Sequence, residues 1–249
     1  MPVSLSDLRS LKVGLALSGG AVRGLAHVGA LKVLNEAGIY PSVVAGTSVG
    51  SLLGAAIAAG KTTDELTEMA RKVFWPSFLN ARHIERFCRA ELPATFAALK
   101  IPFAAVATEV PSMKQVVMTE GDLASAISAS CAVPIIRFPV KREQSRLLDG
   151  GLVCIVPASI CRAMGADYVI SSDVWEYTQF LRNRHLDPIN GIHAGLYPSN
   201  YRRAMADTDL LITPSIPAYC YIPGQRATDK LLEVGEAAAR QALTSEYSL

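Results

Sequence analysis

Short apolar runs, typical of buried strands, recur along the chain with room for a helix between most of them. They predict strands at residues 12–17, 43–45, 102–110, 115–119, 167–172 and 210–213. The third and fourth runs are separated only by a short segment that begins with Pro111, which indicates a hairpin.

Helical periodicity fills most of the remaining sequence. The apolar positions of residues 25–37 predict a helix that Gly38 ends, and Gly60 ends a second helix in the same way. Capping residues predict helix starts at Thr63 and Asp122. Two further helices are predicted at residues 158–164 and 229–243.

This alternation predicts one doubly wound α/β domain over residues 1–249, with three α/β/α layers and a mainly parallel central sheet. Residues 75–100 are less regular, and we expect short helices and loops there. They either pack laterally on the sheet or form an apolar lid. Residues 175–198 show little periodicity and are expected to form a loop excursion.

Composition narrows the function classes. Half of the residues are hydrophobic and 18% are charged, which favours an α/β protein with buried strands. The net charge of +2, without a basic stripe, argues against a nucleic-acid partner. The apolar run near the N-terminus is too short for a signal peptide, so we expect a cytoplasmic protein.

The cysteines are odd in number and widely spaced, which suits buried thiols in a reducing compartment. Neither a disulfide framework nor a zinc site is implied. The cysteines are Cys88, Cys131, Cys154, Cys161 and Cys220.

One segment has features of a membrane span. Residues 43–60 carry no charge, and Gly46, Gly50 and Gly54 fall at the spacing of transmembrane dimers. The segment is at the lower length limit and divides naturally into strand, turn and helix. We therefore expect no transmembrane segment.

The turn in this segment reads Gly-x-Ser-x-Gly, from Gly46 through Ser48 to Gly50. A strand that turns directly into a helix needs glycines on both sides of the serine, and it lifts the serine hydroxyl off the end of the sheet. The pattern is therefore that of a nucleophile elbow. The alternative is a glycine-rich turn with a capping serine.

A glycine turn also follows the first predicted strand, over residues 18–24, and leads into a helix. Its backbone N–H groups and the helix N-terminus form a nest for a phosphate or a developing oxyanion. A dinucleotide fingerprint is disfavoured because Ala21 stands at its third position and the elbow stands where its acidic residue belongs. Glu36 is more simply a surface charge.

Together these motifs resemble those of the patatin-like phospholipases, and most closely those of the short, stand-alone bacterial esterases of that family. The resemblance covers about residues 11–157. It rests on Gly-Gly-Ala-Val-Arg-Gly-Leu-Ala-His-Val-Gly (19–29), Gly-Thr-Ser-Val-Gly-Ser (46–51), Ser-Ala-Ser-Cys-Ala-Val-Pro (128–134) and Leu-Asp-Gly-Gly-Leu-Val (148–153).

The resemblance implies a lipid acyl hydrolase with a Ser-Asp dyad, in which Ser48 is the nucleophile and Asp149 the base. Lipid esters are the implied substrates, met in solution or at a membrane surface, with no metal or cofactor. It implies an oxyanion hole formed by Gly19, Gly20, Ala21 and Val22. Supporting motif residues are Arg23, Gly24, Gly46, Gly50, Gly150 and Gly151, and we expect Arg23 to hold the nest in shape.

Two positions depart from the family pattern. Glycine is usual where Ala21 stands, so either the loop needs no positive φ there or the nest is altered. Asparagine is usual where Cys154 stands, which could change the orientation of Asp149.

Three alternatives stay open. A Ser-Asp-His triad would use His185 or His193, which follow Asp149, whereas His27 and His83 precede it and are expected to be structural. A non-catalytic lipid-binding or regulatory module would keep the fold without turnover. Acyl transfer to an alcohol would share the acyl-enzyme with hydrolysis.

Overall fold

A central β-sheet organises the protein. The computed structural model describes residues 5–73, 80–134, 136–142, 144–175, 197–221 and 224–247. Within these ranges the sheet has eight strands. They are β1 (Val13–Leu17), β2 (Val43–Thr47), β3 (Phe103–Val110), β4 (Lys114–Met118), β5 (Val140–Arg142), β6 (Ser145–Asp149), β7 (Tyr168–Ser172) and β8 (Leu210–Ile212).

The strand order is β5-β6-β3-β2-β1-β7-β8, with β4 paired to β3. From β8 to β3 every neighbouring pair is parallel, whereas β4 and β6 run antiparallel to β3, and β5 antiparallel to β6. The predicted mainly parallel sheet and the β3–β4 hairpin are thus confirmed. The strands β5 and β6 were not predicted.

Helices cover both faces of the sheet. In the described part of the chain they are α1 (Leu5–Leu8), α2 (Leu25–Glu36), α3 (Val49–Ala58), α4 (Thr63–Lys72), α5 (Ala81–Glu91), α6 (Leu123–Ser130), α7 (Ala158–Ala163), α8 (Tyr197–Ala206) and α9 (Gln225–Tyr247).

Most helices lie where the periodicity predicted them, with small shifts at their ends. Asp122 caps α6 by accepting a hydrogen bond from the N–H of Ser125, as expected. The cap of α4 is Thr62, one residue before the predicted start, and it forms a capping box with Glu65. In the irregular segment, α5 packs its buried Ile84 and Cys88 into the core, which is lateral packing. Residues 74–79 lie outside the described part of that segment.

Two apolar clusters lie on opposite faces of the sheet. Because side chains alternate along a strand, Leu15 of β1 faces the cluster of α2, α3, α6 and α9, while Ala16 faces the cluster of α7 and α8. This is the predicted α/β/α arrangement. On the first face α2 and α9 approach closely, and a Cβ added at Gly29 or Gly235 would strike backbone of the other helix.

The segment with features of a membrane span, residues 43–60, forms strand β2, a sharp turn and helix α3, so its transmembrane interpretation is wrong. Among the described residues, no helix combines the length and apolar character needed to cross a bilayer.

One feature of the sheet decides where the candidate site lies. Along β3, strand β4 pairs with residues 105–109, which overlap both the residues paired with β2 (103–106) and those paired with β6 (107–110). A strand has only two edges, so β2 and β6 must share the edge opposite β4. They meet end to end there, running in opposite directions.

Candidate active site

Ser48 occupies the turn between β2 and α3. Strand β2 ends at Thr47, helix α3 begins at Val49, and Ser48 itself has φ 54° and ψ −126°. A non-glycine residue with this φ is strained. A Cβ at Gly46 would strike the carbonyl of Gly50, and a Cβ at Gly50 would strike that of Leu17. The sharp strand-to-helix turn expected of a nucleophile elbow is therefore present.

Asp149 is brought beside Ser48 by the shared edge of β3. Thr47, the last residue of β2, pairs with Val106, and Asp149, the last residue of β6, pairs with Ala107. A Cβ added at Gly150 would lie 3.1 Å from Cγ2 of Thr47, which shows how closely the two strand ends approach. Residues 101 positions apart in sequence thus become neighbours.

Asp149 is held on several sides. Its residue is only 3% exposed, and its Oδ1 accepts a hydrogen bond of 2.8 Å from the N–H of Gly151. Its own N–H donates to the carbonyl of Ala132 at 2.8 Å, and its carbonyl accepts from the hydroxyl of Thr108 at 2.8 Å. The backbone and the carboxylate are therefore both fixed.

The glycine loop after β1 lies against the serine. A Cβ at Gly19 would be 3.3 Å from the Cβ of Ser48. The N–H of Gly19 is already engaged, donating to the carbonyl of Ile155 at 3.2 Å. Within the described part of the chain, no acceptor pairs with the N–H groups of Gly20, Ala21 and Val22 at the start of the 3₁₀ turn Ala21–Gly24. Among the described residues, these three donors therefore remain without an acceptor.

Ala21 has φ 50°, so this loop does need a positive φ at the position where the family usually has glycine. The alanine adopts it at a cost in strain. Alanine at this position therefore does not prevent the turn from forming.

Arg23 holds the loop, as expected. Its Nε donates to the carbonyl of Gly20 at 3.1 Å, and its guanidinium carbon lies 4.5 Å from the centroid of the Trp175 ring. The residue is 6% exposed. Beside it, a Cβ at Gly24 would strike the side chain of Val49, so the glycine lets the starts of the two helices approach.

His27 lies beneath the loop in a structural position. Its Nε2 is 3.1 Å from the carbonyl of Ser18 and must carry the proton, so Nδ1 accepts from the hydroxyl of Ser172 at 2.7 Å. Burial lowers the pKa of His27 to about 4, and the ring is neutral at pH 7. His83 is exposed on α5, while His185 and His193 lie outside the described residues.

Ser130 is a site residue that sequence reasoning missed. The N–H of Ser48 donates to Ser130 Oγ at 2.9 Å, and Ser130 Oγ donates to the carbonyl of Val106 at 2.6 Å. The hydroxyl therefore joins the elbow to β3. The available signal was a serine on the apolar, small-sided stretch 123–130.

Cys131 and Cys154 border the site in different ways. The thiol of Cys131 lies beside the hydroxyls of Ser48 and Ser51, and burial raises its pKa to about 12, with the charge of Asp149 acting in the same sense. Cys154 contributes its backbone: its carbonyl accepts from the hydroxyl of Thr47 at 2.8 Å and its N–H donates to the carbonyl of Gly150. Its thiol lies 3.6 Å from the carbonyl of Val156.

The patatin-like phospholipase family model matches residues 15–162, more than half of the 249-residue chain. The chain belongs to this family. The match spans the glycine loop, the elbow, α6 and the end of β6, which are the elements that converge at this site.

Curated relatives include an uncharacterized NTE family protein of Mycobacterium tuberculosis, 33% identical over 65% of this chain and 49% of that protein. Patatin-like phospholipase domain-containing protein 6 of Mus musculus is 28% identical over 72% of this chain and 15% of that protein. The chain thus spans about half, or much less, of the curated relatives it matches.

Two solved structures share the fold. VipD from Legionella pneumophila superposes with a TM-score of 0.62 at 12% identity, covering 95% of this chain and 67% of that one. The type III effector protein ExoU superposes with a TM-score of 0.57 at 13% identity, covering 95% and 53%.

The strain at Ala21 makes a stability prediction. Ala21→Gly is expected to raise the free energy of unfolding by up to about 1 kcal/mol, and Ala21→Val to lower it by about 1–3 kcal/mol, because glycine alone accepts a positive φ without strain. Denaturant unfolding measures both. Ala37→Gly, at an ordinary φ of −76° after α2, is the control and should be destabilising. A stabilising Ala21→Val would contradict the assignment.

His27 makes a pH prediction. The unfolded chain takes up a proton near pH 6.5, whereas folded His27 does so only near 4, so stability falls as the pH drops through this window. At about 1.4 kcal/mol for each pH unit, the loss at pH 4 is about 3 kcal/mol. Urea unfolding of wild type and His27→Gln over pH 4–8 should show this extra slope in wild type only. Equal slopes would refute it.

Proposed function

We propose that this protein is a serine hydrolase that cleaves fatty-acyl carboxylic esters through an acyl-enzyme on Ser48. The observation that carries the proposal is the end-to-end meeting of β2 and β6 on one edge of β3, which brings the strand ends that carry Ser48 and Asp149 together. The loop that carries the N–H groups of Gly20, Ala21 and Val22 lies against Ser48 at Gly19, which supports their assignment as oxyanion donors.

The reaction would run in two halves. Asp149 accepts the proton of the Ser48 hydroxyl as Oγ attacks the ester carbonyl, and the loop N–H groups stabilise the oxyanion. The bond to the alcohol then breaks, and Asp149 returns the proton to the leaving alkoxide. In the second half Asp149 takes a proton from a water molecule as the water oxygen attacks the acyl carbonyl. The bond between that carbon and Ser48 Oγ then breaks, and Asp149 returns the proton to Oγ, which releases the fatty acid and restores the hydroxyl.

The proposed oxyanion hole has three N–H donors, one fewer than the four residues that the family resemblance implies. Gly19 N–H donates to Ile155, so we assign the donor role to Gly20, Ala21 and Val22 and give Gly19 the role of close approach to Ser48. One such donor is worth on the order of 3 kcal/mol in other hydrolases.

Lipid esters are the proposed substrate class, including phospholipids, lysophospholipids and acylglycerols. Family membership supports this, and a relative from Drosophila melanogaster, 30% identical over 65% of this chain, is described as a neuropathy target esterase.

Labelling and turnover test the dyad together. A fluorophosphonate should label the wild type and Ser51→Ala but not Ser48→Ala, and Asp149→Asn should lower kcat on nitrophenyl esters by about 10²- to 10⁴-fold. The double variant His185→Gln, His193→Gln should retain near-wild-type activity. Its inactivation would favour the triad, and labelling that persists in Ser48→Ala would remove Ser48 as the nucleophile. Lipid binding without labelling or turnover would favour a non-catalytic module.

A membrane surface is the proposed place of action. Phe138 is 93% exposed and Ile136 is 37% exposed. Phe138 lies two residues before Val140, which pairs with Leu147 of β6. Because β5 and β6 are antiparallel, the residues before Val140 lie beside the residues after Leu147, toward Asp149. Phe138 is therefore at the same end of the sheet as the site. Exposed aromatic and aliphatic side chains beside such a site favour contact with lipid.

Phe138→Ser is therefore expected to lower turnover of phospholipid vesicles by about tenfold while leaving that of a water-soluble nitrophenyl ester within about twofold, because only the former needs surface contact. Tyr40→Ser is the matched control: Tyr40 is 66% exposed but precedes β2, at the opposite end of the sheet. Equal losses on both substrates, or the same loss in Tyr40→Ser, would refute the role of Phe138.

A further inference from the structure

Arg137 is a buried arginine beside the candidate active site, with 8% of its surface exposed. Its side chain folds back onto the end of α6. Nη1 donates to the carbonyls of Ser128 and Cys131, each at 3.1 Å, and Nη2 donates to Ser128 Oγ at 3.0 Å. The guanidinium thus pairs carbonyl groups that a helix leaves open at its C-terminus.

The turn that Arg137 binds also holds both members of the proposed dyad. Ser130 Oγ accepts from the N–H of Ser48 at 2.9 Å, and the carbonyl of Ala132 accepts from the N–H of Asp149 at 2.8 Å. Residues 128–132 are therefore a common support for the nucleophile and the base. A shift of this turn would move both.

Burying the charged guanidinium costs desolvation free energy, which argues against a role for Arg137 in packing alone. Burial lowers the pKa of Arg137, while the negative charge of Asp149 acts in the opposite sense. The guanidinium attracts the carboxylate of Asp149, and both residues are hydrogen-bonded to the turn at residues 128–132. An apolar side chain of similar length would fill the space without this desolvation cost.

We propose that Arg137 is a positioning residue for the Ser48–Asp149 pair, fixing the last turn of α6 from which both are held. The inference rests on the proposed function for its effect on turnover. Its effect on structure is independent of turnover.

Arg137→Met keeps the length of the side chain and removes the charge and the hydrogen bonds. It is expected to speed amide hydrogen exchange in peptides that contain Ser48 and Asp149, and to lower kcat for a soluble ester about tenfold or more with KM within about twofold. The rate of fluorophosphonate labelling should fall with kcat. Arg137→Lys keeps the charge and should recover part of each loss.

Arg142→Met is the matched control. Arg142 also donates to backbone carbonyls, those of Asp122 and Glu120, but at the opposite end of α6. It should leave exchange at Ser48 and Asp149 and kcat near wild type. Equal effects of both substitutions would reduce Arg137 to general support of the helix and overturn the proposal.

Unchanged exchange at Ser48 and Asp149 in a folded Arg137→Met variant would also overturn the proposal. If that variant does not fold, Arg137→Lys decides by the same measurements. If wild type neither labels nor turns over esters, the proposed function fails, yet hydrogen exchange still decides whether Arg137 positions the two residues.

Discussion

The structure depends on two strands that share one edge of β3. Strand β2 arrives from one direction and ends at Thr47, and β6 arrives from the other and ends at Asp149, so consecutive residues of β3 hold both ends. Sites supported by strands and helices are held more precisely than sites on loops. Further contacts support this junction: Ser130 of α6 joins Ser48 to β3, and Thr47 donates to the carbonyl of Cys154. The glycine loop after β1 lies against Ser48.

Two residues with strained backbone conformations lie beside this junction. Ser48 and Ala21 both have positive φ, and each such residue costs on the order of 1–3 kcal/mol. Such conformations persist only when their surroundings over-determine them. At Ser48 the surroundings are the Ser130 hydroxyl and the two glycines of the elbow, and at Ala21 they are the hydrogen bond and ring stacking of Arg23. The strain and its supports therefore lie within one connected region.

The elements that the sequence predicted best are those with local signals. Strands β1 and β2, buried on both faces, read as apolar runs, and the glycines of the elbow mark a turn that no other residue fits. Strands β5 and β6 have only three and five residues, and their sequences, Val-Lys-Arg and Ser-Arg-Leu-Leu-Asp, contain neither a long apolar run nor a strict apolar–polar alternation. The pairing of β6 with β3, like the contacts of Ser130 at the site, depends on residues distant in sequence that no local pattern encodes.

The two departures from the family pattern bear little on whether the site is formed. Ala21 takes the conformation for which glycine is preferred, so the departure costs stability but keeps the turn, whose three N–H groups have no acceptor among the described residues. Cys154 engages the site through its backbone N–H and carbonyl, which any residue other than proline supplies, and the carboxylate of Asp149 takes its orientation from Gly151. Ala21 and Cys154 are the departures that could favour a non-catalytic module, yet neither removes a hydrogen bond on which the proposed chemistry depends.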